Sequence, residues 1–352
     1  MIVNCKAFDS ILGICGTVIP RDPHHPILKN VLVQGHGDKV SVTATDGLSS
    51  TVVLEIDAID ATETFLVGFA PLSELIRAIS KTTDVVTMRV SQNKLTVEDE
   101  FAQLTFFPLI DGDTYPLTPT YHESGFCDID AHQFVNALSL SNLTNRAMLL
   151  LSAYHVVSNE NGFFIETTDS YVGGRRWVTD VDVGTHFDTV VGSFIRSPLQ
   201  RMIAKTSTDW KVSVQDGVMV VITDQGTLFA NLYTDATYFD LNRYFTTKSV
   251  VSVNKEEWLE RLRQLSVLRE NKIKLTASSD NGAIYLSVES EVGTASRIVS
   301  CPECEDIEMH IDLAATRKVL EMIKGDVEIM VEFGLPTIIE VGKDRYFMVG
   351  LQ

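Results

Sequence analysis

The sequence predicts an α+β protein in which one unit, a short helix followed by a small antiparallel meander, occurs six times. Three observations predict it: six segments with apolar residues at helical spacing, strand-like runs after each, and turn signals at recurring distances from the helix starts. The first segment places Phe8, Ile11, Leu12, Cys15, Val18 and Ile19 on one helical face. The second carries Leu72, Leu75, Ile76 and Ile79 behind Pro71, a residue suited to a first helical turn. The third has Ala131, Phe134, Val135 and Leu138 after Asp130, and the fourth has Leu199, Met202 and Ile203. The fifth has Trp258, Leu262 and Leu265 after Asn254, with glutamates in its first turn where the helix dipole favours them. The sixth has Leu313, Thr316, Leu320 and Ile323 after Asp312. Asp130, Asn254 and Asp312 are the expected N-caps, because a short side-chain oxygen can accept from the free amides of the first turn. The predicted helices span 5–19, 70–81, 130–141, 196–205, 254–269 and 312–324, with starts 65, 60, 66, 58 and 58 residues apart.

Strands are expected where β-branched and apolar residues run together, as in Val31-Leu32-Val33, Val40-Ser41-Val42-Thr43, Met88-Arg89-Val90 and Met219-Val220-Val221-Ile222. Turns are expected at Gly35-His36-Gly37-Asp38, Gln92-Asn93, Asn159-Glu160-Asn161-Gly162, Gln215-Asp216-Gly217, Asp280-Asn281-Gly282 and Gly334-Leu335-Pro336. Pairing adjacent units gives three domains, 1–120, 126–245 and 247–352, with linkers at Pro116-Leu117-Thr118-Pro119 and Thr246-Thr247-Lys248.

The 352 residues hold 29 Lys and Arg against 47 Asp and Glu, a net charge of −18, with 45% hydrophobic residues. That balance is ordinary for a globular chain, and the length suits two or three domains at roughly 100–200 residues each. No apolar run reaches the about 18 residues of a membrane-spanning helix, so no membrane partner is expected. Met1-Ile2-Val3-Asn4-Cys5-Lys6 lacks the features of a secretory leader, so the expected location is the cytoplasm. The five cysteines, Cys5, Cys15, Cys127, Cys301 and Cys304, are expected as free thiols. Cys301-Pro302-Glu303-Cys304 is one CxxC without the second pair that tetrahedral zinc needs.

A uniformly acidic surface would repel a phosphate backbone. The charge is not uniform, however. The six predicted helices hold 13 basic and 8 acidic residues, leaving 16 basic and 39 acidic residues in the rest of the chain. Mildly basic helix faces therefore stand out from strongly acidic sheets and loops, although helix propensity alone enriches Lys and Arg over Asp.

Several segments carry a family resemblance. Pro26-Ile27-Leu28-Lys29-Asn30-Val31-Leu32-Val33 is followed by Val42-Thr43-Ala44-Thr45-Asp46, and the Thr-Asp element returns at Thr167-Thr168-Asp169. Phe107-Pro108, Thr114-Tyr115-Pro116, the run Tyr238 to Tyr244, and Tyr346-Phe347-Met348-Val349 complete the series. In order and spacing these segments resemble the bacterial DNA polymerase III beta subunit, the β sliding clamp, as a divergent member. The resemblance implies three similar DNA-clamp domains that meet a second copy head to tail in a closed ring. It implies a non-catalytic processivity factor without a cofactor. Such a factor encircles double-stranded DNA without reading sequence and tethers polymerase, clamp loader and repair proteins through short linear motifs. The DNA-facing candidates are Arg21, His24, Arg77, Lys81, Arg196, Arg201, Lys205, Arg263, Arg317 and Lys318. Aligned with the family's peptide pocket are Leu151, Thr168, Tyr171, Val172, Phe239, Arg243, Tyr244, Phe347, Val349 and Leu351. The implied contact between copies joins Ile76, Ile79 and Phe107 to Val267 and Leu268, with ordinary core packing as the competing role for these five. The chain departs from the family at Ser170-Tyr171-Val172, where Gly-His-Arg is usual, and at Phe239, where proline is usual. It departs again at Val349-Gly350-Leu351, where the family has Met-Pro-Met.

Two other functions remain open on sequence. One is a clamp-fold protein that binds partners without encircling DNA. The other is a carboxylate-dependent hydrolase using Glu98-Asp99-Glu100 or Asp111-Gly112-Asp113. Asp46 and Asp169 recur at equivalent positions, which points to a strand-ending turn rather than an active site. Gly173-Gly174-Arg175-Arg176 is too short for a phosphate loop, and His24-His25 is the remaining candidate metal pair.

Overall fold

The computed structural model describes all residues except 113, 144–147, 161, 180, 182–185, 204–208, 246–250, 335 and 350–352. Each repeat contains one more strand than the sequence pattern predicts, because a short strand leads directly into every helix. The first repeat runs β1 (Ile2–Asn4), α1 (Cys5–Val18), β2 (Asn30–Gly35), β3 (Gly37–Thr45) and β4 (Ser50–Ala61). The second is β5 (Thr64–Gly68), α2 (Phe69–Ile79), β6 (Val85–Ser91), β7 (Lys94–Glu98) and β8 (Leu104–Ile110). The third is β9 (Cys127–Asp130), α3 (Ala131–Leu138), β10 (Ala153–Asn159), β11 (Gly162–Thr168) and β12 (Val172–Thr179). The fourth is β13 (Asp188–Gly192), α4 (Arg196–Ile203), β14 (Asp209–Gln215), β15 (Val218–Thr223) and β16 (Gly226–Asn231). The fifth is β17 (Val251–Asn254), α5 (Lys255–Leu265), β18 (Lys272–Ser278), β19 (Ala283–Ser290) and β20 (Gly293–Ser300). The sixth is β21 (Ile307–Asp312), α6 (Leu313–Met322), β22 (Glu328–Glu332), β23 (Thr337–Val341) and β24 (Asp344–Met348).

All six predicted helices form, and the expected caps close them. The last residue of the leading strand doubles as the cap. Asn4, Asp130, Asn254 and Asp312 accept from the amides of Ala7, Gln133, Glu257 and Ala315 at 2.9, 2.7, 2.9 and 2.7 Å. In the other two repeats a glycine, Gly68 or Gly192, ends the strand instead. The apolar stripes face inward as spaced: Phe8, Ile11, Leu12 and Cys15 of α1 and Trp258, Leu262 and Leu265 of α5 are fully buried. All six predicted turns fall between the first and second strands of a meander. Gln92 and Asn93 at φ 48° and 59°, and Asp216 and Gly217 at 48° and 78°, have the left-handed backbone that tight hairpins require.

The leading strands do not pair with the strand that follows them. β1 lies along β6, with Val3 opposite Val86, and β5 lies along β2, with Leu66 opposite Leu32. Likewise β9 pairs with β14, β17 with β22, and β21 with β18. Adjacent repeats therefore exchange their leading strands, and β1 and β5 each also meet the last strand of their own repeat, β4 and β8, a feature invisible in the periodicity because the leading strands are short.

Two compact units partition the chain. One comprises residues 1–135, 158–161 and 180–234, and the other residues 136–157, 162–179 and 235–352. In the first, β16 extends the sheet of β4, with Phe229 opposite Thr51 and Ala230 opposite Ser50, giving twelve strands. In the second, β12 pairs with β24, with Val172 opposite Met348 and Gly173 opposite Phe347. The stretch 126–245 is consequently shared, with β16 in the first unit and β12 in the second. Both junctions are made by glycine. A Cβ on Gly226 would stand 2.0 Å from the Val53 carbonyl oxygen, and one on Gly173 would stand 2.4 Å from the Phe347 ring.

Equivalent turns close equivalent meanders. The Thr45 hydroxyl donates to the Ser50 carbonyl at 3.0 Å and accepts from the Gly47 amide at 3.0 Å. Asp46 Oδ1 accepts from the amides of Leu48, Ser49 and Ser50. The Thr168 hydroxyl likewise donates to Val172 O at 3.0 Å and accepts from Ser170 N at 2.9 Å. Asp169 Oδ1 accepts from the amides of Tyr171 and Val172. Both aspartates thus terminate strands, as their recurrence in the sequence indicates.

Asp312→Ala should lower the unfolding free energy by about 1 kcal/mol, the usual loss for an Asx cap. Urea denaturation followed by circular dichroism reads it, and an unchanged midpoint would contradict the capping role.

Candidate functional site

In the first unit, α1 is linked to both α2 and α4. Arg77 Nε of α2 approaches Asp9 Oδ1 of α1 at 3.8 Å, and Arg201 Nη1 of α4 donates to the Gly13 carbonyl of α1 at 3.0 Å. Both arginines remain exposed, as do Arg21 and His24 on the loop after α1 and Lys81 just beyond α2. Arg196, at the start of α4, is half-buried. In the second unit Arg263 of α5 and Arg317 of α6 share Glu321 at 3.8 and 3.2 Å, while Lys318 is exposed. Lys205 lies outside the described residues. Each unit therefore carries cations on helices, several of them held loosely by one carboxylate or carbonyl.

The peptide-pocket residues are assembled by the second unit. Phe347 is the floor, fully buried among Leu241, Phe245 and Ile338, with Tyr238, Tyr244 and Val349 packed against that cluster. The Tyr244 ring stacks on Phe347 at 4.4 Å and 13°. Arg243 extends over the outer face of Tyr244 at 4.7 Å and donates to its hydroxyl at 2.8 Å. Val172 and Thr168 are buried along one side, where Val349 N donates to Tyr171 O at 2.7 Å. The Tyr171 side chain is 71% exposed, and Phe239 stands edge-on to Tyr238 at the rim. Leu151 is buried in the turn ahead of β10, and Leu351 lies outside the described residues. The outcome is an aromatic shelf with one arginine at its edge and two exposed aromatic side chains above it.

The residues expected at the contact between copies divide. Val267 is 77% exposed and Leu268 and Ile79 are half-buried, whereas Ile76 and Phe107 belong to the core of the first unit. Strand alternation accounts for Phe107: residues 104, 106 and 108 of β8 point outward and 107 inward, so the exposed aromatic is Phe106. β8 pairs with β7 along Leu104–Pro108 but reaches β5 only through Leu109 and Ile110. The opposite edge of Leu104–Pro108 is unpaired among the described residues. In the second unit β20 is the outermost strand of its four-stranded sheet, and Ile298 on it is 53% exposed.

The carboxylates of Glu98-Asp99-Glu100 are engaged in structural contacts. Asp99 Oδ1 accepts from Phe101 N and Gln103 N, Glu100 Oε1 accepts from Asp84 N and Val85 N, and Glu98 pairs with Arg89 at 3.5 Å. Asp113 lies outside the described residues. All five cysteines are free and buried, and burial pushes the Cys301 thiol up to about 12. Among the described residues no three His, Cys, Asp or Glu side chains are grouped to hold a metal ion.

Comparison with known proteins gives one answer. Residues 2–119 match the family described as DNA polymerase III beta subunit, N-terminal domain. The chain is 22% identical over 326 residues to the beta sliding clamp of Synechococcus elongatus, covering 85% of this chain and 83% of that protein. The first third of the chain thus matches the beta-subunit family, and the chain as a whole is similar in sequence to a sliding clamp. The clamp fold extends over its whole length. The DNA polymerase sliding clamp of Bacillus subtilis superposes with a TM-score of 0.90 at 16% identity, over 100% of this chain and 98% of that one. The beta subunit from Thermotoga maritima does so at 0.87 and 14%, with the same coverage.

Behind the shelf lies a network that sequence reasoning missed. Glu166, nearly fully buried, accepts from Arg175 Nε and Nη2 at 2.8 and 2.6 Å and meets His155 Nδ1 at 2.7 Å. Arg175 also donates to Asn242 Oδ1 at 2.9 Å, and His155 stacks on Tyr238 at 4.9 Å, so the segment 238–245 is tied back to β10–β12. The neighbouring Arg176 is buried and donates to Tyr346 Oη, Ser139 Oγ and the carbonyls of Asn136 and Met322. Gly173-Gly174-Arg175-Arg176 is thus a strand that fixes loops. The available signal was the hairpin register, which sets Glu166 directly opposite Arg175.

Burial pushes the Tyr238 and Tyr346 hydroxyls up to about 12 from an ordinary 10.0. The folded chain therefore retains protons that the unfolded chain releases first, so this stabilisation is complete below the unfolded value and disappears as pH rises through the folded one. Stability should fall between about pH 10 and 12. Ultraviolet titration should show late-ionising tyrosines whose release coincides with unfolding, and Tyr238→Phe should remove one of them.

Proposed function

We propose that this chain pairs with a second copy to form a ring around duplex DNA and acts as a non-catalytic sliding clamp that holds replication and repair proteins on the template. The observation that carries it is charge segregation: a chain of net −18 keeps Arg77, Arg201, Arg263 and Lys318 exposed on its helices. A ring retains DNA by topology, so strong phosphate contacts are unnecessary and would slow sliding. Loosely tethered arginines contact phosphates without selecting a base sequence. The acidic remainder repels duplex from the outer surface, so entry requires loading rather than adsorption.

A division into three similar domains, 1–120, 126–245 and 247–352, is supported by the exchange of leading strands within pairs of repeats. The contact between copies is assigned to the free edges of β8 and β20, with Leu104, Phe106, Val267 and Ile298 as its exposed apolar side chains in place of Ile76 and Phe107. Partner proteins dock extended segments on the Phe347–Tyr244 shelf, where exposed Tyr171 and Phe239 narrow the choice of sequence.

Light scattering should give twice the 39.0 kDa chain mass, and Phe106→Asp should shift the protein toward the monomer. A strict monomer at micromolar concentration would sink the ring. Loaded protein should remain on nicked circular DNA and run off once the circle is cut. Equal retention on both forms would favour a partner-binding protein that contacts DNA only from outside.

A further inference from the structure

We propose a second peptide-binding pocket, on the first unit, built by the same repeat geometry as the shelf on the second; the proposal rests on reading that shelf as a peptide site. A cavity of 140 Å³ lies between the turn after Thr45, the segment Pro116–Pro119, and β16 at Phe229 and Asn231. Hydrogen bonds set the correspondence without reference to sequence. Tyr115 Oη donates to the carbonyls of Asn30 and Thr43, at the start of β2 and the end of β3. Tyr238 Oη reaches Ala153 O and Thr168 N, at the start of β10 and the end of β11. Counting from that pair of tyrosines, Tyr121 corresponds to Tyr244. Tyr121 lies 6.0 Å from the ring of Phe229, as Tyr244 lies 4.4 Å from Phe347. Asn231 N donates to Ser49 O at 2.8 Å where Val349 N donates to Tyr171 O at 2.7 Å. Gly47 at φ 76° matches Ser170 at φ 80°. The two places share a floor, a wall and a turn.

Their chemistry differs in ways that define the occupant. The residue corresponding to Arg243 is Thr120, so the first-unit pocket has no cation at its rim. Its lining holds no charged side chain, and the neighbouring turn carries the Asp46 carboxylate. Leu48 and Leu117, 73% and 93% exposed, stand at the mouth as Tyr171 does on the shelf, while Thr45, Ser50 and Asn231 bring polar groups to the wall. A small cavity with apolar lips, a polar wall and the Asp46 carboxylate beside it fits an extended peptide that inserts one leucine-sized side chain and carries lysine or arginine next to it. The arginine-rimmed shelf favours acidic peptides instead. Charge would thereby direct two kinds of partner segment to two places on one chain.

Two fluorescein-labelled probes test this on the full chain by anisotropy: acetyl-Lys-Pro-Leu-Ser-Leu-Lys-amide and its counterpart with glutamate at both lysine positions. Leu48→Asp and Leu117→Asp should each weaken the lysine probe by about tenfold, an effect of one side chain's size, and leave the glutamate probe within about twofold. Tyr171→Asp should do the reverse. All three positions are exposed, so melting curves should coincide with wild type. The proposal fails if the lysine probe does not bind, or if Leu48→Asp and Leu117→Asp leave it unchanged. If Tyr171→Asp alone abolishes both probes, one shelf serves both and the second pocket is wrong while the shelf stands. If the glutamate probe binds nowhere or ignores Tyr171→Asp, the shelf reading fails, and loss of the lysine probe in Leu117→Asp still decides the first-unit pocket.

Discussion

The structure depends on the exchange of leading strands between neighbouring repeats. A β-strand of three to six residues with a helix behind it cannot form a stable sheet alone, since its amides and carbonyls need a partner strand. Here the strand that launches each helix is hydrogen-bonded to the meander of the repeat next to it, as β1 is to β6 and β5 to β2. That arrangement makes the pair of repeats the smallest set with satisfied edges. It also fixes helix orientation, because in four repeats the last strand residue, Asn4, Asp130, Asn254 or Asp312, is already the cap of the helix that follows.

Once the helices are anchored, their outward faces are available for charge. Lys255 at the start of α5 is buried against Glu256 and the Gly325 carbonyl, whereas Arg263 and Arg317 share one glutamate and Arg201 holds a carbonyl. Exposed pairs of this kind contribute little to stability and exchange readily with solvent or phosphate. By contrast, half-buried Arg175 and buried Arg176 are each held by several hydrogen bonds. The same residue type thus has two uses, separated by burial: one organises loops, the other offers charge.

Much of this was legible in the sequence. Helical spacing located all six helices, and short polar residues ahead of them located the caps, because both depend on neighbours within one turn. The turns between first and second meander strands were legible for the same reason. The leading strands were missed because three to six residues give too few alternations to separate strand from loop. Phe107 and Ile76 were assigned outward because alignment carries position but not the local inward or outward phase of a strand. The Glu166–Arg175–His155 network joins three strands and therefore has no signature at any fixed spacing. The shelf residues lie together in the second unit, and the signal that groups them is confined to the Thr-Asp turn and the final strand. Phe239, whose ring stands at the rim, shows how one departure from a proline changes what the surface presents.

The glycines at the two sheet junctions have a mechanical consequence. Gly226 lets β16 close directly against the Val53 carbonyl of β4, and Gly173 lets β12 lie against the ring of Phe347, where any Cβ would collide. A pairing in such close register resists sliding, because a shift of one residue would reverse every side chain on the strand. Within each unit the sheet therefore behaves as a stiff strip. In the ring proposed above, the joint between two copies would differ in kind, being made by exposed side chains rather than by glycine.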